Sequence, residues 1–230
     1  MGFICAVNNV NKTYRFKGSD VETRALNDIS LSIEEGGFVA IAGPSGSGKT
    51  TLLNILGGLD APTSGSVIVD QTDLAGLNAA EMSEFRLHKI GFIFQAYNLI
   101  STLSAYENAE YVSLLQGAPK DRRLFEARQI FKDLGMEAYL KRRPTQLSAG
   151  QQQRVAVARA ILARPKLILA DEPTANLDSR TGSDLIDLMA VMNKTLGLTF
   201  IFATHDKMVM EKAHRLILLH DGKITQDIAQ

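Results

Sequence analysis

Gly43-Pro44-Ser45-Gly46-Ser47-Gly48-Lys49-Thr50 is the stretch on which the fold turns. It satisfies the G-x-x-x-x-G-K-[ST] pattern of a phosphate loop. The apolar run Phe38-Val39-Ala40-Ile41-Ala42 precedes it as a buried strand, and Thr51-Leu52-Leu53-Asn54-Ile55-Leu56 follows as the opening of a helix. That order serves the chemistry. Glycines let the backbone curl around phosphate oxygens, and a helix N-terminus already favours anions. Lys49 is placed to reach β- and γ-phosphates, and the Thr50 hydroxyl to ligate Mg²⁺.

The rest of the composition sets bounds. At 230 residues the chain suits one sizeable domain, or a core with an inserted subdomain. Twenty-five basic residues balance twenty-five acidic ones, so nothing argues for nucleic acid as the main partner and none is expected. No apolar run approaches the roughly 20 residues a membrane-spanning helix requires. Phe3-Ile4-Cys5-Ala6-Val7 is too short for a signal-peptide core and lacks basic residues before it. Ala6 stands where a myristoylation motif wants Ser or Thr. The single Cys5 reads as a small buried strand residue, and the four histidines show no metal-ligand spacing. A cytoplasmic protein is expected.

Residues 3–33 read as short alternating strands, punctuated by Val7, Val10 and Tyr14 and then by Ile29, Leu31 and Ile33. Lys17-Gly18-Ser19-Asp20 reads as a hairpin loop, and Glu35-Gly36-Gly37 as a turn. Ser66-Val67-Ile68-Val69 and Ile90-Gly91-Phe92-Ile93-Phe94 read as strands, with a helix from Ala80 to Leu87 between them. Between Ser101 and Arg143 the period becomes helical, through Leu103, Tyr106, Ala109 and Tyr111 and then Leu124, Ala127, Ile130, Phe131 and Leu134. Two later buried strands, Leu167-Ile168-Leu169-Ala170 and Thr199-Phe200-Ile201-Phe202-Ala203, enclose a helical segment and imply a right-handed parallel crossover. Asp221-Gly222 signals a hairpin near the end.

Two further motifs carry chemistry. Leu167-Ile168-Leu169-Ala170-Asp171-Glu172 ends an apolar strand in adjacent carboxylates, at the edge where parallel sheets bind ligands. Asp171 suits the Mg²⁺ holder and Glu172 the group that polarises an attacking water. In Leu147-Ser148-Ala149-Gly150-Gln151-Gln152-Gln153-Arg154, Ser148 can cap a helix running from Gln151 to about Ala163. The hydroxyl and free N–H groups at that entry make a second anion site, or an ordinary capped helix.

The phosphate loop, Gln95, Leu147-Ser148-Ala149-Gly150-Gln151, Ala170-Asp171-Glu172-Pro173-Thr174, Asn176-Leu177-Asp178 and Thr204-His205-Asp206 occur in that order. The set resembles the ATP-binding subunit of an ABC transporter across nearly the whole chain. The resemblance implies an α/β fold: a P-loop NTPase (RecA-like) core with an N-terminal antiparallel β subdomain and an inserted α-helical subdomain. The core and β subdomain are expected at 1–95 and 149–230, and the helical subdomain at 96–148. The implied catalytic groups are Glu172, His205, Lys49 and Gln95. The implied nucleotide contacts are Tyr14 (stacking on adenine), Gly43, Pro44, Ser45, Gly46, Ser47, Gly48, Lys49, Thr50, Thr51, Gln95, Ser148, Ala149, Gly150, Gln151, Asp171, Glu172 and His205. Thr50, Gln95 and Asp171 are the implied Mg²⁺ ligands.

The same resemblance implies the partners. Ser148 and Gly150 of one chain close over ATP held by the phosphate loop of a second copy, head to tail. The helical insert contacts integral membrane permease subunits, with residues 95–100 in the receiving groove, and so places the chain peripherally on the inner face of the cell membrane. Ile55-Leu56-Gly57-Gly58-Leu59-Asp60, Ile90-Gly91-Phe92-Ile93-Phe94-Gln95 and Glu107-Asn108 are similar to the subgroup serving lipoprotein release and macrolide or peptide efflux. A cell-division system regulating wall hydrolases is the alternative. Ala149 and Ala175 stand where the family and the subgroup usually have glycine.

Overall fold

The computed structural model describes residues 2–15 and 22–230; the expected loop at Lys17-Gly18-Ser19-Asp20 lies outside the described residues. Two long strands open the chain, β1 (Phe3–Arg15) and β2 (Glu22–Glu34), paired antiparallel. Short strands were the expectation from sequence, and the reason for the difference is visible. The β1–β2 register shifts four times, and Asn9 and Asp28 turn to positive φ at such irregularities. Each bulge interrupts the two-residue alternation, so one bent strand reads as several. The bend at Asn9 is held by its N–H donating to Ser30 Oγ at 2.9 Å and its Nδ2 donating to Asp28 Oδ1 at 2.9 Å.

β3 (Phe38–Ala42) leads through the phosphate loop into α1 (Lys49–Leu56), and β4 (Ser64–Val69) and β5 (Thr72–Asp73) complete a four-stranded sheet in the order β2-β1-β4-β5. α2 (Ala79–Lys89) carries a capping box in which Asn78 and Glu81 exchange hydrogen bonds, and it delivers the chain to β6 (Ile90–Ile93). The insert follows as α3 (Ala105–Leu115) and α4 (Lys120–Asp133), then two short 3₁₀ turns. α5 (Ala149–Leu162) returns to β7 (Leu167–Asp171), α6 (Ser179–Leu196) crosses to β8 (Thr199–Thr204), and α7 (Lys207–Lys212), β9 (Arg215–His220) and β10 (Lys223–Ala229) finish the chain. The second sheet runs β10-β9-β3-β8-β7-β6, parallel except for the β9–β10 hairpin at Asp221-Gly222.

The inner strands β3, β7 and β8 are buried on both faces, which is why they are continuous apolar runs. Val39, Ile41, Leu167, Leu169, Ile201 and Ala203 join a core shared with α1 and the antiparallel sheet. Phe38, Ile168, Ala170, Phe200 and Phe202 point the other way, into a core shared with α3, α4, α5 and α6. In the insert, Ala127, Phe131 and Leu134 are buried as their spacing predicts, but Tyr111 is 39% exposed. Tyr111 lies only two residues beyond buried Ala109, off the three-to-four-residue stripe, and Asn108 and Ser113 take the inward positions instead.

Phe38 is fully buried, with its ring 4.7 Å edge-on from Phe202 and 5.7 Å from Phe200. Phe38→Ala is expected to destabilise the chain by about 3–5 kcal/mol in urea unfolding, with an unchanged m-value.

Candidate active site

Strand register assembles the site. Ala42 of β3 pairs with Thr204 of β8, and Ala203 of β8 pairs with Asp171 of β7. The residues that follow these strand ends, Gly43, Glu172 and His205, therefore leave the sheet along one edge, where open parallel sheets bind ligands.

The phosphate loop is built around Gly48, the N-cap of α1, at φ 103°. A Cβ there would lie 2.5 Å from the carbonyl oxygen of Ala25, so only glycine lets the loop sit down on β2. Lys49 is 7% exposed and turns back into the loop, its Nζ donating to the carbonyls of Gly43 at 2.8 Å and Pro44 at 2.9 Å. Ser47 Oγ is buried without a partner, and the first N–H groups of α1 have no carbonyl one turn earlier to pair with. An anion cradled here satisfies all of these donors, so the residues present fit a nucleotide phosphate chain.

Thr50 Oγ1 donates to Asp171 Oδ1 at 3.0 Å, which brings together two of the expected Mg²⁺ ligands. Burial pushes the Asp171 carboxyl above its ordinary value and the charge of Glu172 adds to this, while Thr50 and Lys49 oppose it. A divalent cation held by this pair would reverse that balance by favouring the ionised carboxylate. Glu172 sits at φ 47°, a left-handed backbone costing of order 1 kcal/mol for a non-glycine residue. Its N–H donates to the Ala203 carbonyl at 2.9 Å. His205 Nδ1 meets Glu172 Oε1 at 2.7 Å, whereas Glu172 Oε2 is buried and unpartnered. The imidazole is largely exposed and the carboxylate largely buried, so His205 covers Glu172 from the solvent side.

The other expected residues fall into three groups. Gln95 is exposed just past β6, and its carbonyl accepts from Asn176 Nδ2 at 2.8 Å. Tyr14 donates its hydroxyl to Asp60 Oδ2 at 2.7 Å, and burial together with that carboxylate raises its pKa. Ser148 caps α5 as expected: its Oγ accepts from the Gln151 N–H at 3.3 Å, and Gln151 Oε1 accepts from the Ser148 N–H at 3.0 Å. α5 itself begins at Ala149 rather than Gln151. Among the described residues no hydrogen bond joins residues 148–151 to residues 43–51.

Two supports had no motif of their own. Lys12 bonds Asp60 Oδ1 at 2.6 Å and lies 4.8 Å over the Tyr14 ring, bracing that aromatic from behind. Arg159 donates to the carbonyls of Tyr97 at 2.8 Å and Asn98 at 2.6 Å, both positive-φ residues in the loop after Gln95. The signal for Arg159 was a cation inside the otherwise apolar run of α5.

Comparison with known proteins agrees with this geometry. The profile of the ABC transporter family matches residues 26–175. The chain is 43% identical to the ABC transporter ATP-binding protein YtrE of Bacillus subtilis (strain 168), over 90% of this chain and 89% of that protein. It is 46% identical to the macrolide export ATP-binding/permease protein MacB of Rhodospirillum rubrum, over 92% of this chain and 32% of that protein. The chain thus spans about a third of the macrolide-export relative's length. Among solved structures, the ATP-binding cassette MJ0796, described as a dimer in a post-hydrolysis state bound to ADP and Pi, superposes with a TM-score of 0.90 at 41% identity, covering 98% of both chains. The expected α/β fold is the one observed.

The raised Asp171 carboxyl has a consequence for stability. Its contribution is fully present below the unfolded-state value and is lost as pH rises through the higher folded-state value. Nucleotide-free Asp171→Asn is therefore expected to gain in melting temperature relative to the parent chain as pH rises through that window. It should also lose Mg²⁺-dependent nucleotide binding. Scanning fluorimetry across pH, with and without Mg-ATP, reads both.

Proposed function

Because the chain belongs to the ABC transporter family, we propose that it is an ATP hydrolase that dimerises on ATP and drives a separate membrane subunit for efflux or extraction. The pairing of Glu172 with His205 beside the Thr50–Asp171 contact carries this reading. It supports a reading in which a carboxylate suited to activating water stands next to a pair suited to holding a metal, at the mouth of a phosphate loop.

In this reading, Lys49 exchanges the Gly43 and Pro44 carbonyls for β- and γ-phosphate oxygens. Tyr14 takes the adenine on the ring face that Lys12 leaves open. Thr50 and Asp171, with Gln95, would hold Mg²⁺, which would supply positive charge to offset that of the leaving phosphates. Glu172 accepts a proton from the attacking water through its unpartnered Oε2, and His205 holds Oε1 so that the carboxylate cannot turn away. The strained backbone at Glu172 fixes that aim.

The second anion site needs a second copy. The Ser148 cap spends the Gln151 N–H and leaves those of Ala149 and Gly150 at the open helix end. Ala149 is exposed there, so its methyl faces the approaching nucleotide rather than a packed neighbour. A two-fold dimer brings this end over the partner's phosphate loop, twice.

The membrane contact is placed on the insert. Ile100, Tyr111, Leu114 and Leu115 are 39–57% exposed on and beside α3, adjoining the loop after Gln95. In this reading these exposed apolar side chains are the surface that the membrane partner covers. No helix among the described residues is long and apolar enough to cross a membrane; in this reading the partner holds the chain at the inner face of the cell membrane.

Glu172→Gln with Mg-ATP is expected to double in mass by light scattering and to hydrolyse ATP at least about 100-fold more slowly than the parent chain. Lys49→Ala in the same background should remain monomeric. A monomer under both conditions would overturn the proposal.

A further inference from the structure

Gln153 is fully buried, four residues beyond the first residue of α5. Its Nε2 donates to the Pro173 carbonyl at 2.8 Å, while its Oε1 is buried with no partner. A half-satisfied amide in a packed core is costly, and an apolar side chain of similar size would fill the space better. What the amide holds accounts for its presence.

Pro173 follows Glu172 directly. Lacking an N–H, it can be gripped by the backbone hydrogen-bonding network only through its carbonyl. Glu172 is left-handed at φ 47°, and a loop held in such a conformation keeps it only if its neighbours are fixed. Upstream, the Glu172 N–H is tied to Ala203. Downstream, Thr174 Oγ1 donates to Asp206 Oδ2 at 2.9 Å. Gln153 supplies the clamp between these two, and it alone of the three comes from α5. The start of α5 also lies against α6 so closely that a Cβ on Gly150 would stand 2.5 Å from Thr181 Cγ2. A displacement of the helix start therefore has no slack in which to dissipate.

We propose that Gln153 is a positioning residue that ties the seating of a partner copy's nucleotide on the start of α5 to the placement of Glu172 over this chain's own nucleotide. The inference rests on the ATP-bound dimer proposed above. In that dimer Ser148 serves one ATP site and Glu172 of the same chain serves the other, so Gln153 is a direct link between the two sites. It touches neither nucleotide.

Gln153→Met removes the donor and keeps the bulk. The expected result is a kcat lowered by about ten-fold or more, with KM for ATP and melting temperature close to the parent values. In the Glu172→Gln background, Gln153→Met should leave ATP-driven dimerisation intact, because the start of α5 still receives its nucleotide. A purely structural role would instead lower the melting temperature and weaken dimerisation together. Gln153→Asn keeps the amide but withdraws it by one methylene, so it tests the same clamp if the apolar variant misfolds, and it too must lower kcat. Parent-like kcat in either folded variant, or loss of dimerisation in step with kcat, overturns the inference. Absence of ATP-driven dimerisation in Glu172→Gln alone would instead sink the dimer reading on which it rests.

Discussion

Backbone hydrogen bonds between β3, β8 and β7 pair Ala42 with Thr204 and Ala203 with Asp171, and the candidate site hangs from that ladder. The phosphate loop, the two carboxylates and His205 each lie at or directly after a strand end, so their separation is set by register. A slip of one residue in any of these strands would exchange Phe38 with Val39, or Phe200 with Ile201, between two cores of different shape. The aromatic cluster of Phe38, Phe200 and Phe202 fills one side and small or branched residues fill the other, so each slip is penalised by packing.

From that ladder the chemistry follows by short-range contacts. Lys49 is held inside its own loop by two carbonyls, so it is positioned before any ligand arrives. Thr50 and Asp171 are already together, and so are Glu172 and His205. Such preorganisation lowers the cost of arranging charge during reaction. The start of α5 is equally preformed by its Ser148–Gln151 box, yet it makes no hydrogen bond to the phosphate loop of the same chain among the described residues. Two preformed helix ends that share no hydrogen bond within one chain suit the composite dimeric site proposed here.

How much was legible in the sequence depended on how local the cause was. The parallel strands were readable because burial on both faces leaves continuous apolar runs, and the phosphate loop because its glycines have no alternative. Ser148 was readable as a cap because capping is settled within three residues. The two long bulged strands were not, since the shifts near Asn9 depend on Ser30 and Asp28 across the sheet. Tyr111 was misplaced because one aromatic off the helical stripe looks like one on it. The Lys12–Asp60 brace behind Tyr14 spans 48 residues, and the Gln153–Pro173 clamp 20, so neither leaves a spacing signal.

The central claim is that each ATP site is made from two chains, and mixing two separately disabled variants tests it. Lys49→Ala removes the phosphate-loop half, and Ser148→Arg blocks the α5 half. Each variant alone is expected to be inactive. Mixed in equal amounts, half of the encounters between chains pair one of each, and every such pair regains one site built from the intact loop of one chain and the intact helix start of the other. ATPase activity is then predicted to reappear, up to about a quarter of the parent rate. If both halves served a site within one chain, the mixture would stay as inactive as its components, and that result would contradict the account.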